Sequence, residues 1–239
     1  MPDSTNRPPS AFMSRPDGRL FGRKQDKALK PRQAKLREDL LPQISFDETS
    51  IVDLISTHQG PVWFEIGFGG GEHLAWQAVH HPNTLFLGAE PFVNGTAKLL
   101  TAVEDQDLTN IRILEGDARP ALAALPDGCL DRLFLLQPDP WPKKRHHKRR
   151  MVGQMFFGEA ARLLRPGAEL RISSDIADYI RWTLMHWQMF ERGGGGFDWL
   201  AKRADDWRLA PTDLPQTRYM AKGERAGRPV TYLRFQRRG

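Results

Sequence analysis

The sequence predicts an α/β fold: a doubly wound, Rossmann-like sheet with mostly parallel strands. Two observations predict it. Short apolar runs alternate with segments of helical period between about residues 47 and 191, the pattern of repeated strand–helix–strand units. Acidic residues also stand at or near the ends of several of those apolar runs, which is where an open α/β sheet binds its ligands.

The elements follow in order. Asp47 is placed to cap a helix running through Gln59. Val62-Trp63-Phe64-Glu65-Ile66 reads as a short buried strand, followed by the turn Gly67-Phe68-Gly69-Gly70-Gly71 and a helix to about His80. Leu85 to Glu90 is the second strand, with a helix after Pro91. Ile111 to Asp117 holds the third, with a helix over 119–125. Leu130 to Gln137 is the fourth, and Pro138-Asp139-Pro140-Trp141 begins where it ends. A helix over 151–164 is expected to stop at Arg165-Pro166-Gly167. Glu169 to Ser174 is the fifth strand, leading to Asp175 and a helix to about Glu191. Beyond the glycines at 193–196, Phe197–Leu200 and Thr231–Phe235 read as strands joined as a hairpin, so the sheet is expected to end with an antiparallel strand. Residues 205–230 read as a long polar loop.

Two regions are expected. Residues 1–40 carry ten Lys and Arg against five Asp and Glu and are punctuated by proline. They read as a basic, partly disordered N-terminal arm, with the first dozen residues disordered and Gly18–Lys35 able to order on a partner. Residues 41–239 form one catalytic domain. A single cysteine, Cys129, excludes an intrachain disulfide framework and reads as a small buried residue. No apolar run has the length of a membrane span or the character of a signal peptide. The expectation is a soluble cytoplasmic protein, a monomer or weak homodimer, with no metal and no membrane partner.

The charge is concentrated in one place. The chain has a net charge of +6, and residues 141–150 alone hold six Lys and Arg with no acid, so the rest sums to zero. Lys143, Lys144, Arg145, Lys148, Arg149 and Arg150, with His146 and His147 between them, adjoin the carboxylate of Asp139. A cationic run beside a carboxylate suggests chemistry on a polyanion, with phosphate binding that depends strongly on salt. His146 and His147 read as hydrogen-bond donors rather than metal ligands, because no further His/Cys cluster completes a site.

The acids at the strand ends narrow the ligand. Gly67 and Gly69 permit a tight turn and close approach of backbone N–H groups. A pyrophosphate fingerprint would have no acid directly before its glycines, whereas here Glu65 precedes the turn. A carboxylate there opposes a diphosphate and suits a cationic amino acid end. Glu90 can accept from ribose hydroxyls and Asp117 from an adenine amino group. Together these contacts describe S-adenosylmethionine. Asp139 lies between two prolines that restrict the backbone around it, so the carboxylate and Trp141 are held in advance of binding.

The stretches Glu65-Ile66-Gly67-Phe68-Gly69, Gln137–Arg150 and Thr217-Arg218-Tyr219 resemble the bacterial tRNA (guanine-N7-)-methyltransferase family over roughly residues 45–239. The long central motif is specific and the glycine turn is not. The resemblance implies the class I S-adenosylmethionine-dependent methyltransferase fold, a seven-stranded, mostly parallel sheet with an antiparallel C-terminal strand. It implies methylation of guanine 46 in the variable loop of tRNA at N7. It further implies cofactor binding through Glu65, Glu90, Asp117 and Asp139, with Asp139 catalytic. RNA or substrate contacts are implied for Lys143, for Arg145–Arg150, for Asp175, and for the segment Thr217, Arg218, Tyr219 and Met220. Met220 departs from the family pattern, which places an acid after the aromatic. Trp141 is placed to stack on the base. A guanine ring nitrogen has a free lone pair, so catalysis rests on alignment. Two roles fit Asp139: favouring the positive charge that moves onto the base, and accepting hydrogen bonds from its edge.

Two alternatives remain open on sequence. A methyltransferase acting on an exocyclic amine carries an Asp/Asn-Pro-Pro-aromatic motif, but here one proline separates Asp139 from Trp141. A non-catalytic RNA-binding protein on an inherited fold would be expected to lose the cofactor acids, yet all four are present.

Overall fold

Val62–Ile66 forms β1 and Leu85–Ala89 forms β2, and both strands are buried along their whole length. That follows from a sheet covered on both faces, where strands have no polar side. Ile111–Leu114 forms β3, Leu130–Leu136 β4, Leu164–Ser174 β5, Phe197–Trp199 β6 and Thr231–Arg237 β7. The computed structural model describes residue 22 and residues 24–239. The expected disorder of the first dozen residues and the start of the arm at Gly18 lie outside those residues.

The seven strands run in the order β3-β2-β1-β4-β5-β7-β6. Pairs among β1 to β5 are parallel, and β7 is antiparallel to both β5 and β6. The sheet and its antiparallel C-terminal strand are as expected. The connection is different: β6 and β7 pair, but the chain between them is no tight hairpin and carries two helices, α9 (Asp205–Arg208) and α10 (Arg218–Arg225). The segment 205–230 is therefore not the plain polar loop the sequence suggested. α10 is polar on average but two-sided, with Met220 and Gly223 buried and Lys222, Glu224 and Arg225 exposed; Thr217 caps it by accepting from the Met220 N–H at 3.4 Å.

The helices cover both faces. On one side lie α1 (Pro31–Asp39), α2 (Leu41–Ile44), α4 (Glu72–His80) and α5 (Val93–Asp105), packed with Trp63, Phe86, Ile111, Ile113 and Phe134. On the other lie α3 (Ser50–Thr57), α6 (Ala118–Ala124), α7 (Gln154–Leu163) and α8 (Ala177–Arg192), packed with Val62, Phe64, Leu87, Leu133 and Leu135. Trp63 and Phe64, like Phe134 and Leu135, go to opposite cores because successive strand side chains alternate. Asp47 does cap α3, accepting from Thr49 and Ser50 N–H groups at 3.0 and 2.8 Å. The helix expected over 151–164 starts at Gln154, and Arg165-Pro166-Gly167 opens β5 rather than closing a helix. Leu164 pairs with Leu130 across a register shift, and the proline is tolerated because this end is exposed. Cys129 is buried, and burial pushes its thiol up to about 12. Residues 31–39 of the expected arm are helical: α1 buries Leu36 and stands against α5, and Arg37 pairs with Glu115 at 2.5 Å. Among the described residues, no helix is long and apolar enough to cross a membrane, and no His/Cys/Asp/Glu group is arranged to hold a metal.

Candidate active site

Strand order reverses between β1 and β4, since β2 and β3 lie to one side of β1 and β4 to the other. Such a switch point opens a crevice beyond the carboxyl ends of the strands. A cleft of about 440 Å³ lies there, within the ordinary size of a small-molecule site. Glu65, Gly67, Gly69, Glu90, Asp117 and Asp139 all line it.

The turn after β1 is built by glycine conformation. Gly67 and Gly69 adopt φ of +72° and +56°, values that side chains other than glycine rarely allow. The Gly69 N–H donates to Glu90 Oε2 at 2.7 Å, and the Phe92 N–H donates to Glu90 Oε1 at 2.9 Å. A carboxylate has about four lone-pair positions, so each Glu90 oxygen keeps one for a ligand. Burial raises the Glu90 pKa, partly opposed by the two amides.

Glu65 is fixed from behind. Its Oε2 lies 2.8 Å from His73 Nδ1. His73 Nε2 faces Gln77 Nε2 at 3.0 Å, and that amide also donates to the Asp213 carbonyl at 2.6 Å. Gln77 is thus a donor to both, His73 Nε2 accepts, and the ring proton sits on Nδ1, donating to Glu65. Asp117 is likewise tied: Arg119 Nε donates to its oxygens at 3.0 and 2.8 Å, with Nη2 adding a further ion pair. His73, Gln77 and Arg119 had no signal in the sequence beyond residue type.

Asp139 differs from these three. Among the described residues it has no hydrogen-bond or ion-pair partner, and burial raises its pKa. Its neighbours are strained: Gln137 and Trp141 have φ of +50° and +41°, which costs roughly 1–3 kcal/mol apiece for a non-glycine residue. The expected proline rigidity is therefore reinforced by a bent backbone on either side. Gln137 is held by its N–H to Ser173 O at 2.9 Å. Trp141 lines the cleft with the Arg149 guanidinium 4.9 Å over its ring. Gly22 also reaches the cleft; a Cβ built on it would stand 3.9 Å from Asp139 Oδ2. The chain just after it is pinned to α5, with the Val93 N–H on Lys24 O at 2.8 Å and Asn94 Nδ2 donating to Lys27 O at 2.8 Å.

The cationic run forms a 3₁₀ helix over Lys144–Arg149, its preceding residue Lys143 extended. Lys143, Lys144, Arg145 and Lys148 are exposed, His146 and His147 half-buried. Arg149 borders the cleft. Arg150, expected as an RNA contact, is not exposed like its neighbours. Its side chain is 1% exposed and ion-paired to Asp178 at 2.5 Å. It donates from Nε to the Pro140 carbonyl at 2.8 Å and packs over Trp182 at 5.0 Å. Burial turns this cation inward to brace the Asp139 loop.

The late segment is only partly at the cleft. Thr217 lines it; Asp175, Arg218 and Met220 do not. The Arg218 N–H donates to Glu72 Oε2 at 2.9 Å. Asp175 pairs with Arg228 Nε at 2.8 Å. Met220, expected as a substrate contact, is buried with Leu214, Val230 and Tyr232 as a small apolar core. The segment is anchored by Asp213, which accepts from Arg132 and Arg171 at 2.9 and 2.8 Å. Burial alone would raise that carboxyl, but the guanidiniums, Arg171 first, hold it far below the usual range.

Comparison with known proteins agrees with this geometry. A family model described as "Putative methyltransferase" matches residues 59–233. The tRNA (guanine-N(7)-)-methyltransferase of Nitrobacter hamburgensis is 48% identical over 92% of this chain and 87% of its own. That of Agrobacterium fabrum is 45% identical over 94% and 97%. Among solved structures, the 16S rRNA (adenine(1408)-N(1))-methyltransferase from Catenulisporales acidiphilia superposes with a TM-score of 0.54 at 18% identity, covering 81% of this chain and 94% of that one, a likeness of fold. With a glycine-turned cleft at the switch point and near-half identity along almost its whole length, the chain belongs to the tRNA (guanine-N(7)-)-methyltransferase family.

Proposed function

We propose that this chain transfers a methyl group from S-adenosylmethionine to N7 of guanine 46 in the tRNA variable loop, giving 7-methylguanosine. The observation that carries the reading is the carboxylate of Asp139, without a partner among the described residues, lining a glycine-turned cleft beside an exposed cationic turn. The relatives, both tRNA (guanine-N(7)-)-methyltransferases, support the substrate and the position on the base.

The cleft residues fit the methyl donor. Glu65, oriented by His73, offers its second oxygen to an ammonium group. Glu90 keeps a lone pair on each oxygen for a pair of ribose hydroxyls. The Asp117–Arg119 pair borders the place of the base. S-adenosylmethionine held there would supply an electrophilic sulfonium methyl, the guanine nitrogen forming the new C–N bond as the C–S bond breaks and a neutral thioether leaves. The nitrogen has its own lone pair, so the protein needs no base. Asp139 contributes a fixed negative charge in a partly dry site, where charge–charge attraction is stronger than in water. The strained backbone at Gln137 and Trp141 keeps that carboxylate from relaxing away. Lys143, Lys144 and Arg145 meet the phosphates.

The test is methyl transfer from labelled S-adenosylmethionine to unmodified bulk tRNA, followed by digestion and identification of the labelled nucleoside. Label in 7-methylguanosine is expected. Label in another nucleoside would move the activity to an exocyclic amine. Tight tRNA binding without transfer would favour a binding protein.

A further inference from the structure

Behind the cationic turn lies a second cavity of about 390 Å³. Arg119, His147, Lys148, Arg150, Trp182 and His186 contribute to its wall, and no acidic residue among those described does. Four of these side chains carry buried nitrogens without a hydrogen-bond partner: Arg119 Nη1, His147 Nε2, Arg150 Nη1 and both ring nitrogens of His186. Arg119 and Arg150 are themselves only 7% and 5% exposed. The start of α7 completes the wall, and it has no side-chain cap for its first amides. Buried donors left unpaired are unfavourable and rare in folded proteins. Here four such side chains line one cavity; two of them, Arg119 and Arg150, are cationic, as is Lys148 in the same wall, and the start of α7 adds its N-terminal dipole, a set that favours an anion. Asp178 neutralises one edge of Arg150 without lining the cavity.

We infer that this cavity seats a phosphate group, and that the phosphate is a phosphodiester of the RNA chain beside the target base. The source of the phosphate rests on the proposed function. Its place follows from the walls: Arg119 and Met151 border both this cavity and the cleft that holds Asp139. An RNA strand with one base against Asp139 therefore has a neighbouring phosphate beside the second cavity. The apolar part of the wall, Val152 and Phe156 among it, excludes water and strengthens the attraction. The site also gives Arg119 two duties, its Nε and Nη2 on Asp117 and its Nη1 toward the anion.

The first experiment titrates inorganic phosphate into the full chain and follows the imidazole resonances of His147 and His186 by NMR. Saturable shifts, reversed when unmodified tRNA is added, are expected. The second measures tRNA affinity against salt for His186→Glu and His186→Phe. The glutamate is expected to weaken binding roughly tenfold and lower the salt slope by about one, and the phenylalanine to weaken binding less. Circular dichroism of both variants reports an intact fold. Phosphate that shifts neither histidine would overturn the site. Phosphate that binds but is not displaced by tRNA, with His186→Glu binding tRNA like wild type, would make it a free-anion site and overturn the RNA assignment. A wild-type chain that binds no tRNA would sink the proposed function, while the phosphate titration would still judge the cavity.

Discussion

The two walls of the main cleft are built on opposite principles. On the wall formed by β1, β2 and β3, the three acids are already tied to the protein: Glu65 to His73, Glu90 to two backbone amides, Asp117 to Arg119. On the wall after β4, Asp139 has no partner among the described residues, and the lysines beside it are exposed. Under the proposed function, the difference teaches how one crevice serves two ligands. A small molecule recognised by fixed hydrogen bonds needs side chains that cannot turn away. A nucleophile brought in by a large polyanion needs charge left uncompensated until it arrives.

The comparison is most exposed at Asp139. Asp139→Asn keeps the shape and removes the charge; kcat for methyl transfer is expected to fall by at least roughly 100-fold, with tRNA affinity kept. A loss under fivefold would mean that the free carboxylate only fills space. On the tied wall, Glu65→Gln is expected to weaken S-adenosylmethionine binding by about 10- to 100-fold, the range for a hydrogen bond to a charged group, as read by calorimetry. Unchanged affinity would show that the His73 tie serves folding alone. Neutralising Lys143, Lys144 and Arg145 together is expected to lower the salt slope of tRNA binding by about three, while single-turnover transfer at saturating tRNA stays near wild type. Arg150 breaks the pattern, a tied cation on the open wall. Arg150→Gln is therefore expected to lower kcat by roughly tenfold through a loosened Asp139 loop and, from its place in the wall of the second cavity, to lower the salt slope by about one.

The smallest effect is on stability. Asp213 has a folded pKa held below its unfolded value by Arg171 and Arg132. It contributes stability that is present above the unfolded carboxylate value and is lost as pH falls below it. Asp213→Asn is expected to melt earlier than wild type at pH 7 and to lose less on acidification toward pH 3 (about 4 being the unperturbed value). Parallel melting curves for the two proteins across that range would remove Asp213 as the anchor of the late segment.

Much of this was legible in the linear chain because the signals are local. Strand identity follows from apolar runs such as Val62–Ile66, the turn from glycines whose backbone conformation others avoid, and the rigid carboxylate from the prolines flanking Asp139. What the linear chain does not show is where burial overrides residue type. Arg150 and Lys144 belong to the same cationic run, yet one is enclosed by Asp178, Trp182 and the Pro140 carbonyl and the other faces solvent. Met220 reads as part of a polar loop and is apolar core, because α10 turns one residue in its first turn toward Leu214 and Tyr232.

The sequence by itself determined the strands of the sheet and the four acids at or near their ends, since backbone preference and hydrophobic period act over a few residues, while the strand order and its switch point came from the packed sheet. Only the tertiary structure decided which of those acids is held and which is free. His73, Arg119 and Asp213 reach their partners across 8, 2 and 42 positions, and such pairings are fixed by how helices and strands pack, not by spacing along the chain.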